Sequence, residues 1–372
     1  MHILFAGGGT AGHINPALAV AGYLKKKDPS IKISYIGTAK KLEAKLVPEA
    51  GYDFYTIDVA GLQRKLTPKN ILRNIVAVEK MFTSSLKARK YLKELAPDIV
   101  VGTGGYVSGP VLREAAKLGI KTAIHEQNAF PGITTKALAP KVDRVMLAMQ
   151  EAEKYLKLDK KPIITGNPVR PELLEISKEE ARKVLGLDNR PLILSFGGSL
   201  GARPINEAVA GLIASHNGSK KYYHIHGTGK VGYDSTKALI QSKCESLSEE
   251  ITIREYIDNM NVCMAAADIV ICRAGAITLS ELQSCGKASV LIPSPYVAEN
   301  HQYHNAMSLK NVGAAEVIEE KDLTEKLLIE KVTGLLDNPY ELNKMEDCAL
   351  KSSISDANER IANVILELYE QK

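Results

Sequence analysis

Two stretches of the chain, "LFAGGGTAGH" (residues 4–13) and "LSFGGSLGAR" (194–203), follow one plan: an apolar run breaks into glycines and then enters a helical pattern. A strand ending in such a turn leaves backbone amides unpaired at the start of the next helix, where the helix dipole favours an anion. Two copies of this plan constrain the fold more than any other feature. Further strand candidates accompany each copy, "KISYIG", "FYTIDV", "DIVVGTGG", "TAIHEQN" and "RVMLA" in the first series and "YYHIHGTG", "DIVICRAGA" and "ASVLIPSP" in the second, with helical segments between most of them. That alternation predicts parallel sheets covered on both faces, and 372 residues exceed what one core usually supports. The expected fold is α/β with two Rossmann-like lobes, the first over 1–165 and the second over 166–354. The boundary falls near "ITGNPVRPELLEI", where prolines and a Gly-Asn pair interrupt the pattern. A closing helix within 355–372 is expected to pack back on either lobe, and it is grouped here with the N-terminal one.

The first loop also fits Gly7-x-Gly9-x-x-Gly12, the spacing that cradles a dinucleotide pyrophosphate. A nicotinamide site needs, in addition, an acidic residue for the ribose hydroxyls at the end of the second strand. That strand ends here in Gly37, Thr38 and two lysines. His13 instead puts an imidazole directly after the last glycine, at the mouth of a loop whose amides suit a phosphate or a sugar.

Ligands of open parallel sheets sit beyond the carboxyl ends of the strands, and several such positions are rich in polar groups. "GTGGYVSGP" (102–110) lets backbone approach a ligand and carries Tyr106 and Ser108; "HEQN" (125–128) sets four hydrogen-bonding side chains in succession. In the second half, "FGGSLGAR" offers amides and the Ser199 hydroxyl to a diphosphate, and Arg170 in "GNPVR" is the best placed cation. "CRAGAITLSELQSCG" brings Arg273 and then Glu281, which is either a ligand for ribose hydroxyls or a solvated helix residue. "SPYVAENHQYHNA" supplies Gln302 and Asn305 for sugar hydroxyls. His301 and His304 lack a carboxylate or cysteine at ligand spacing, so no metal site is expected. The five cysteines are widely spaced without a C-x-x-C pair and read as free thiols. With no D-x-D triplet to hold a divalent ion, the charge of a leaving diphosphate falls to amides, a helix N-terminus and a cation.

Charge is uneven. Residues 1–165 hold 26 Lys/Arg against 14 Asp/Glu, whereas the remainder holds 22 against 29, which points the first half at a polyanionic surface. The stretch Arg64 to Lys93 has nine basic residues, one acid (Glu79), and apolar residues at helical spacing. It reads as an interfacial patch for an anionic membrane; nucleic acid is the competitor, with few aromatics for base stacking. No run approaches the roughly 20 apolar residues of a membrane span, and the N-terminus enters a strand without a basic leader, so a cytoplasmic, peripheral protein is expected.

In order along the chain, "GGGTAGHINPALA", "GGYVSGP", "HEQN", "GNPVR", "GGSLGA", "RAGAITLSEL" and "HQYHNA" resemble the MurG family of peptidoglycan glycosyltransferases. The resemblance implies two Rossmann-like lobes facing a cleft, the B-type glycosyltransferase fold. It implies cofactor-free, metal-independent transfer of N-acetylglucosamine (GlcNAc), with inversion, from UDP-GlcNAc to undecaprenyl-diphosphate-linked MurNAc-pentapeptide. By the same resemblance Thr10, Ala11 and Gly12 line the transferring sugar and the acceptor diphosphate, and Asn128 reaches the sugar. Arg170 and Ser199 hold the donor diphosphate, Ile257 the uracil through its backbone, Glu281 the ribose and Gln302 the sugar. Tyr106 and Glu126 bind the acceptor. Ala11 replaces a glycine of many members, and His301 precedes Gln302 where some have a glutamine pair. His13 is the candidate base for the muramyl O4 hydroxyl; the alternative is that His13 binds the acceptor diphosphate and Glu126 or water takes the proton. A UDP-GlcNAc epimerase or an antibiotic glycosyltransferase would share the second-lobe residues without needing the basic apolar patch.

Overall fold

The computed structural model describes residues 1–59 and 68–371, with 68–79 and 81 as backbone only. It contains two compact units, Met1–Pro168 with Asp356–Lys372, and Val169–Ser355. The division thus falls at Pro168, where sequence put it at Thr165. Gly166 and Asn167 belong with the first unit because they are hydrogen-bonded to it: His125 Nε2 donates to Gly166 O (2.9 Å) and Asn167 Nδ2 to Gln127 O (3.1 Å).

The first unit runs β1 (His2–Gly7), α1 (Ala11–Lys27), β2 (Lys32–Gly37), α2 (Glu43–Glu49), β3 (Asp53–Thr56), α3 (Pro68–Leu95), β4 (Ile99–Gly104), α4 (Gly105–Lys117), β5 (Lys121–Glu126), α5 (Ile133–Leu138), β6 (Arg144–Leu147) and β7 (Ile163–Ile164). All seven strands are parallel, in the order β3-β2-β1-β4-β5-β6-β7. Alternate residues of β1 serve opposite faces, as the two-residue strand period requires. Ile3 and Phe5 join a core with Val20 and Leu24 of α1, whereas Leu4 and Ala6 join one with Leu92 of α3 and Val111 and Leu112 of α4.

The second unit holds α6 (Lys178–Leu185), β8 (Leu192–Phe196), α7 (Arg203–His216), β9 (Tyr223–Gly227), α8 (Tyr233–Lys243), β10 (Ile251–Arg254), α9 (Met260–Ala266), β11 (Ile269–Cys272), α10 (Ala276–Ser284), β12 (Ala288–Leu291), α11 (His301–Asn311), β13 (Ala315–Val317), α12 (Glu325–Leu336) and α13 (Pro339–Lys351). Its sheet is also parallel, in the order β10-β9-β8-β11-β12-β13. The last helix, α14 (Ala357–Glu370), packs against α1, adding Ile361, Ile365 and Leu368 to the core of the first unit. Burial of three such side chains contributes about 5–9 kcal/mol before entropy is counted.

Sequence placed Pro16 near the start of a helix; the helix begins at Ala11, and Pro16 lies in its second turn. Thr10 is extended (φ −141°, ψ 156°), and its carbonyl accepts from His13 N (3.1 Å) and Ile14 N (3.3 Å). Gly12 and His13 therefore belong to the first helical turn.

Candidate functional site

The order of the first sheet reverses between β1 and β4, and the crevice beyond that switch point is where open α/β sheets bind ligands. The glycine loop leaves β1 there, and Gly104 and Gly105 leave β4 beside it. His13 occupies the junction. Its Nδ1 lies 3.1 Å from Gly8 O and 3.3 Å from Thr10 Oγ1, and its own carbonyl accepts from Thr103 Oγ1 (2.7 Å). A carbonyl oxygen only accepts, so the bond to Gly8 makes Nδ1 the protonated nitrogen of the neutral ring and leaves the lone pair on Nε2. The last two glycines of "GTGG" have close neighbours within the protein itself. A Cβ on Gly104 would stand 2.8 Å from His13 Cδ2, and one on Gly105 2.3 Å from Gly8 O. Glycine at these two positions makes room for the imidazole and its loop.

Thr10 and Ala11 are exposed and Gly12 is half-buried. Tyr106 is 58% exposed on the first turn of α4. Ser108 is buried; its Oγ donates to Ala6 O (2.7 Å) and accepts from Gly104 N (3.1 Å), which makes it a tie between β1 and α4. The "HEQN" run is similarly occupied. Glu126, almost fully buried, accepts from Asn128 N (3.1 Å), Asn128 Nδ2 (3.0 Å) and Gly132 N (3.0 Å). Gln127 Nε2 donates to His125 O (3.1 Å), and burial lowers the pKa of His125. His125 and Glu126 thus fasten the end of β5 to the segments around Gly166 and Gly132, and the Gln127 and Asn128 side chains bond within the run.

The second sheet reverses between β8 and β11. Its glycine loop presents Ser199 and Leu200 to solvent and rests on the backbone of the neighbouring turn: a Cβ on Gly201 would stand 2.1 Å from Thr228 O, and one on Gly229 2.0 Å from Gly201 N. Glu281, on α10, is 7% exposed, and its Oε1 accepts from Arg170 Nε at 2.9 Å. Burial raises the Glu281 pKa and the Arg170 charge opposes the rise. Sequence assigned this pair to different parts of a nucleotide; the structure joins them directly. Ile257 is buried, its side chain lying over Gly227. Gln302 Oε1 accepts from Ser294 N (2.9 Å) in the turn before α11, where Glu299 and Asn300 hold left-handed backbone (φ 56° and 50°). Arg273 and Asn305 hold the framework: Arg273 pairs with Glu320 and donates to Ile292 O, and Asn305 Nδ2 donates to Ala274 O. His301 Nδ1 bonds Ala298 O (2.7 Å).

Two features escaped the sequence reading. Glu43, on the first turn of α2, accepts from Gly9 N, so the first loop has an acidic neighbour after all. Beneath the second loop, Ser195 Oγ lies 2.8 Å from both His224 Nε2 and His226 Nδ1, and His216 Nε2 lies 3.1 Å from His224 Nδ1. These groups are buried, which makes them core polar contacts, and burial lowers the pKa of all three histidines, that of His226 to about 4.

The N-terminal domain model of glycosyltransferase family 28 matches residues 3–147, and the C-terminal domain model matches residues 192–361. A protein of Acetivibrio thermocellus named UDP-N-acetylglucosamine--N-acetylmuramyl-(pentapeptide) pyrophosphoryl-undecaprenol N-acetylglucosamine transferase is 48% identical over 100% of this chain and 99% of its own length. The crystal structure of MurG from Acinetobacter baumannii superposes with a TM-score of 0.80 at 29% identity, covering 98% of this chain and 99% of that one. A UDP-GlcNAc 2-epimerase from Neisseria meningitidis, solved with UDP-GlcNAc bound, shares the fold at a TM-score of 0.67 and 16% identity, covering 99% of this chain and 100% of its own. Identity sustained over the whole length, with both domain models in register, places the chain in glycosyltransferase family 28, within its MurG branch.

Proposed function

We propose that this chain transfers GlcNAc from UDP-GlcNAc to the muramyl O4 of undecaprenyl-diphosphate-linked MurNAc-pentapeptide, the glycosylation step that converts lipid I to lipid II in peptidoglycan synthesis. The observation that carries this is the 48% identity to a transferase of that name across the full chain. In this reading His13 Nε2 takes the proton of the O4 hydroxyl as the oxygen attacks the anomeric carbon. The bond from that carbon to the UDP oxygen breaks on the opposite face, which inverts the centre. Glu126 is the alternative base, but its oxygens already accept three N–H donors, which suits shaping the loop better than moving a proton.

The remaining roles belong to the same reading. Thr10, Ala11 and Gly12 line the sugar and the acceptor diphosphate, Asn128 reaches the sugar, and His13, Tyr106 and Glu126 meet the acceptor. Ser199 and Arg170 take the donor diphosphate, Ile257 the uracil through its backbone, Glu281 the ribose and Gln302 the sugar hydroxyls. The donor must then share or open the Arg170–Glu281 pair, so its binding energy has to exceed what that contact gives. The diphosphate is met by amides and Arg170, with no metal and no further cofactor.

The first unit works against the cytoplasmic face of the membrane. Residues 64–67 of the basic stretch lie outside the described residues, as do the side chains of 68–79 and 81. On the described part of α3, Phe82 and Leu86 are one turn apart and 68% and 70% exposed, on the same helix as Lys87, Arg89, Lys90 and Lys93. Apolar side chains with basic neighbours suit an anionic leaflet, where each cation near the surface contributes about 1 kcal/mol. No described helix is long and apolar enough to cross a membrane. Nucleic acid is not a partner in this reading.

The decisive experiment incubates the chain with radiolabelled UDP-GlcNAc and the lipid-linked acceptor, with EDTA present. Label passing into the lipid fraction with release of UDP is expected. Label retained in the nucleotide sugar, or recovered as its 2-epimer, overturns the reading.

A further inference from the structure

Glu43 is fully buried, and among the described residues no lysine or arginine pairs with it. A carboxylate so placed is tolerated only if its oxygens are bonded, and here its partners among the described residues are backbone and hydroxyl donors. Oε2 accepts from Gly9 N (3.1 Å), and Oε1 accepts from Thr38 N (3.1 Å) and Thr38 Oγ1 (2.7 Å). The backbone makes room for it: a Cβ on Gly8 would stand 2.3 Å from Glu43 Oε1, and one on Gly37 2.6 Å from its Cγ.

The N–H of Gly9 and the C=O of Gly8 are two ends of one peptide group, which is trans, so they point in opposite directions. That carbonyl is the one that accepts from His13 Nδ1 at 3.1 Å. A single amide is therefore held between a carboxylate on its N–H side and an imidazole on its C=O side. Bonds in such a chain polarise one another. The carboxylate draws on the N–H and makes the carbonyl a better acceptor, which favours a proton on Nδ1 and a lone pair on Nε2.

We propose that Glu43 is a positioning residue that fixes the tautomer and orientation of His13 through the Gly8–Gly9 peptide, doing across one amide what a triad carboxylate does by direct contact. This rests on His13 being the base of the transfer described above; Glu43 itself touches no reacting atom.

Glu43→Gln keeps the shape but sets an NH₂ group against one of the backbone donors. It is expected to lower kcat roughly tenfold to hundredfold, the range for removing a partner that orients a functional imidazole, and to change the donor KM by less than about threefold. Nitrogen NMR of the side chains should show neutral His13 mainly as the Nδ1–H form in the unaltered enzyme and as a mixture in Glu43→Gln. The proposal is overturned by an unchanged tautomer or by a kcat for Glu43→Gln within about twofold of the parent. Should Glu43→Gln not fold, the parent spectrum decides, and a dominant Nε2–H form overturns it. Failure of the parent to glycosylate the lipid acceptor refutes the functional reading alone, because the tautomer is read without turnover.

Discussion

The two glycine loops share a plan in sequence and differ in what lies behind them. The first, after β1, is clamped: Glu43 holds Gly9 from below, and the Gly8 carbonyl holds His13 in front. The second, after β8, rests backbone on backbone against the turn at Thr228 and Gly229, and leaves Ser199 and Leu200 exposed. One loop is therefore built to orient a side chain of its own, and the other to keep a surface open. A strand–glycine–helix signature alone does not separate these uses; the residues that support it do.

The comparison is most exposed at His13. Replacing it with alanine should lower kcat by about a hundredfold or more while leaving donor binding nearly intact; steady-state kinetics with near-normal turnover would remove the first loop's distinction. Next is steric support. Gly201→Ala combines positive φ (82°) with a methyl 2.1 Å from a carbonyl oxygen, and should cost about 2–4 kcal/mol by thermal or urea unfolding. Gly9→Ala, at φ 92° with nothing within 4 Å, should cost only about 1 kcal/mol. Equal costs would mean that the second loop is not backbone-supported. Arg170→Ala should raise the donor KM roughly tenfold, since the cation is lost and buried Glu281 is left more readily protonated. An unchanged KM would detach the second loop's neighbourhood from the donor.

The smallest effect concerns acid. Burial holds His216, His224 and His226, and likewise His2 and His125, below the ordinary histidine pKa of 6.5. The unfolded chain then binds more protons than the folded one from pH 6.5 down to about 4, the value for His226, so stability falls as pH drops through that window. The Tm at pH 5 should lie about 5 °C or more below that at pH 7. A flat profile would show that these side chains are hydrated when folded.

Much of this fold is written locally. Continuous apolar runs such as "KISYIG" and "DIVIC" correspond to β2 and β11, because a strand buried on both faces needs no alternation. The strands without a prior assignment, β7, β10 and β13, have only two to four residues and derive their identity from a neighbouring strand. The site was less legible. Glu43 stands beyond the end of β2, outside the place where a ribose-binding acid belongs, and only the first turn of α2 returns its carboxylate to the loop. Arg170 and Glu281 are 111 positions apart, and neither residue's surroundings in sequence announce the other.

The helix that completes the cover of the first sheet is translated only after the whole second unit. While the ribosome makes the second unit, on the order of ten seconds or longer at ~5–20 residues per second, the flank formed by Ile14, Val20 and Leu24 lacks Ile361, Ile365 and Leu368. Order of synthesis and order of completion are inverted for this half of the molecule. A nascent chain therefore carries a sticky, unfinished face while the second unit is made, and a stop codon just before α14 would damage the half made first.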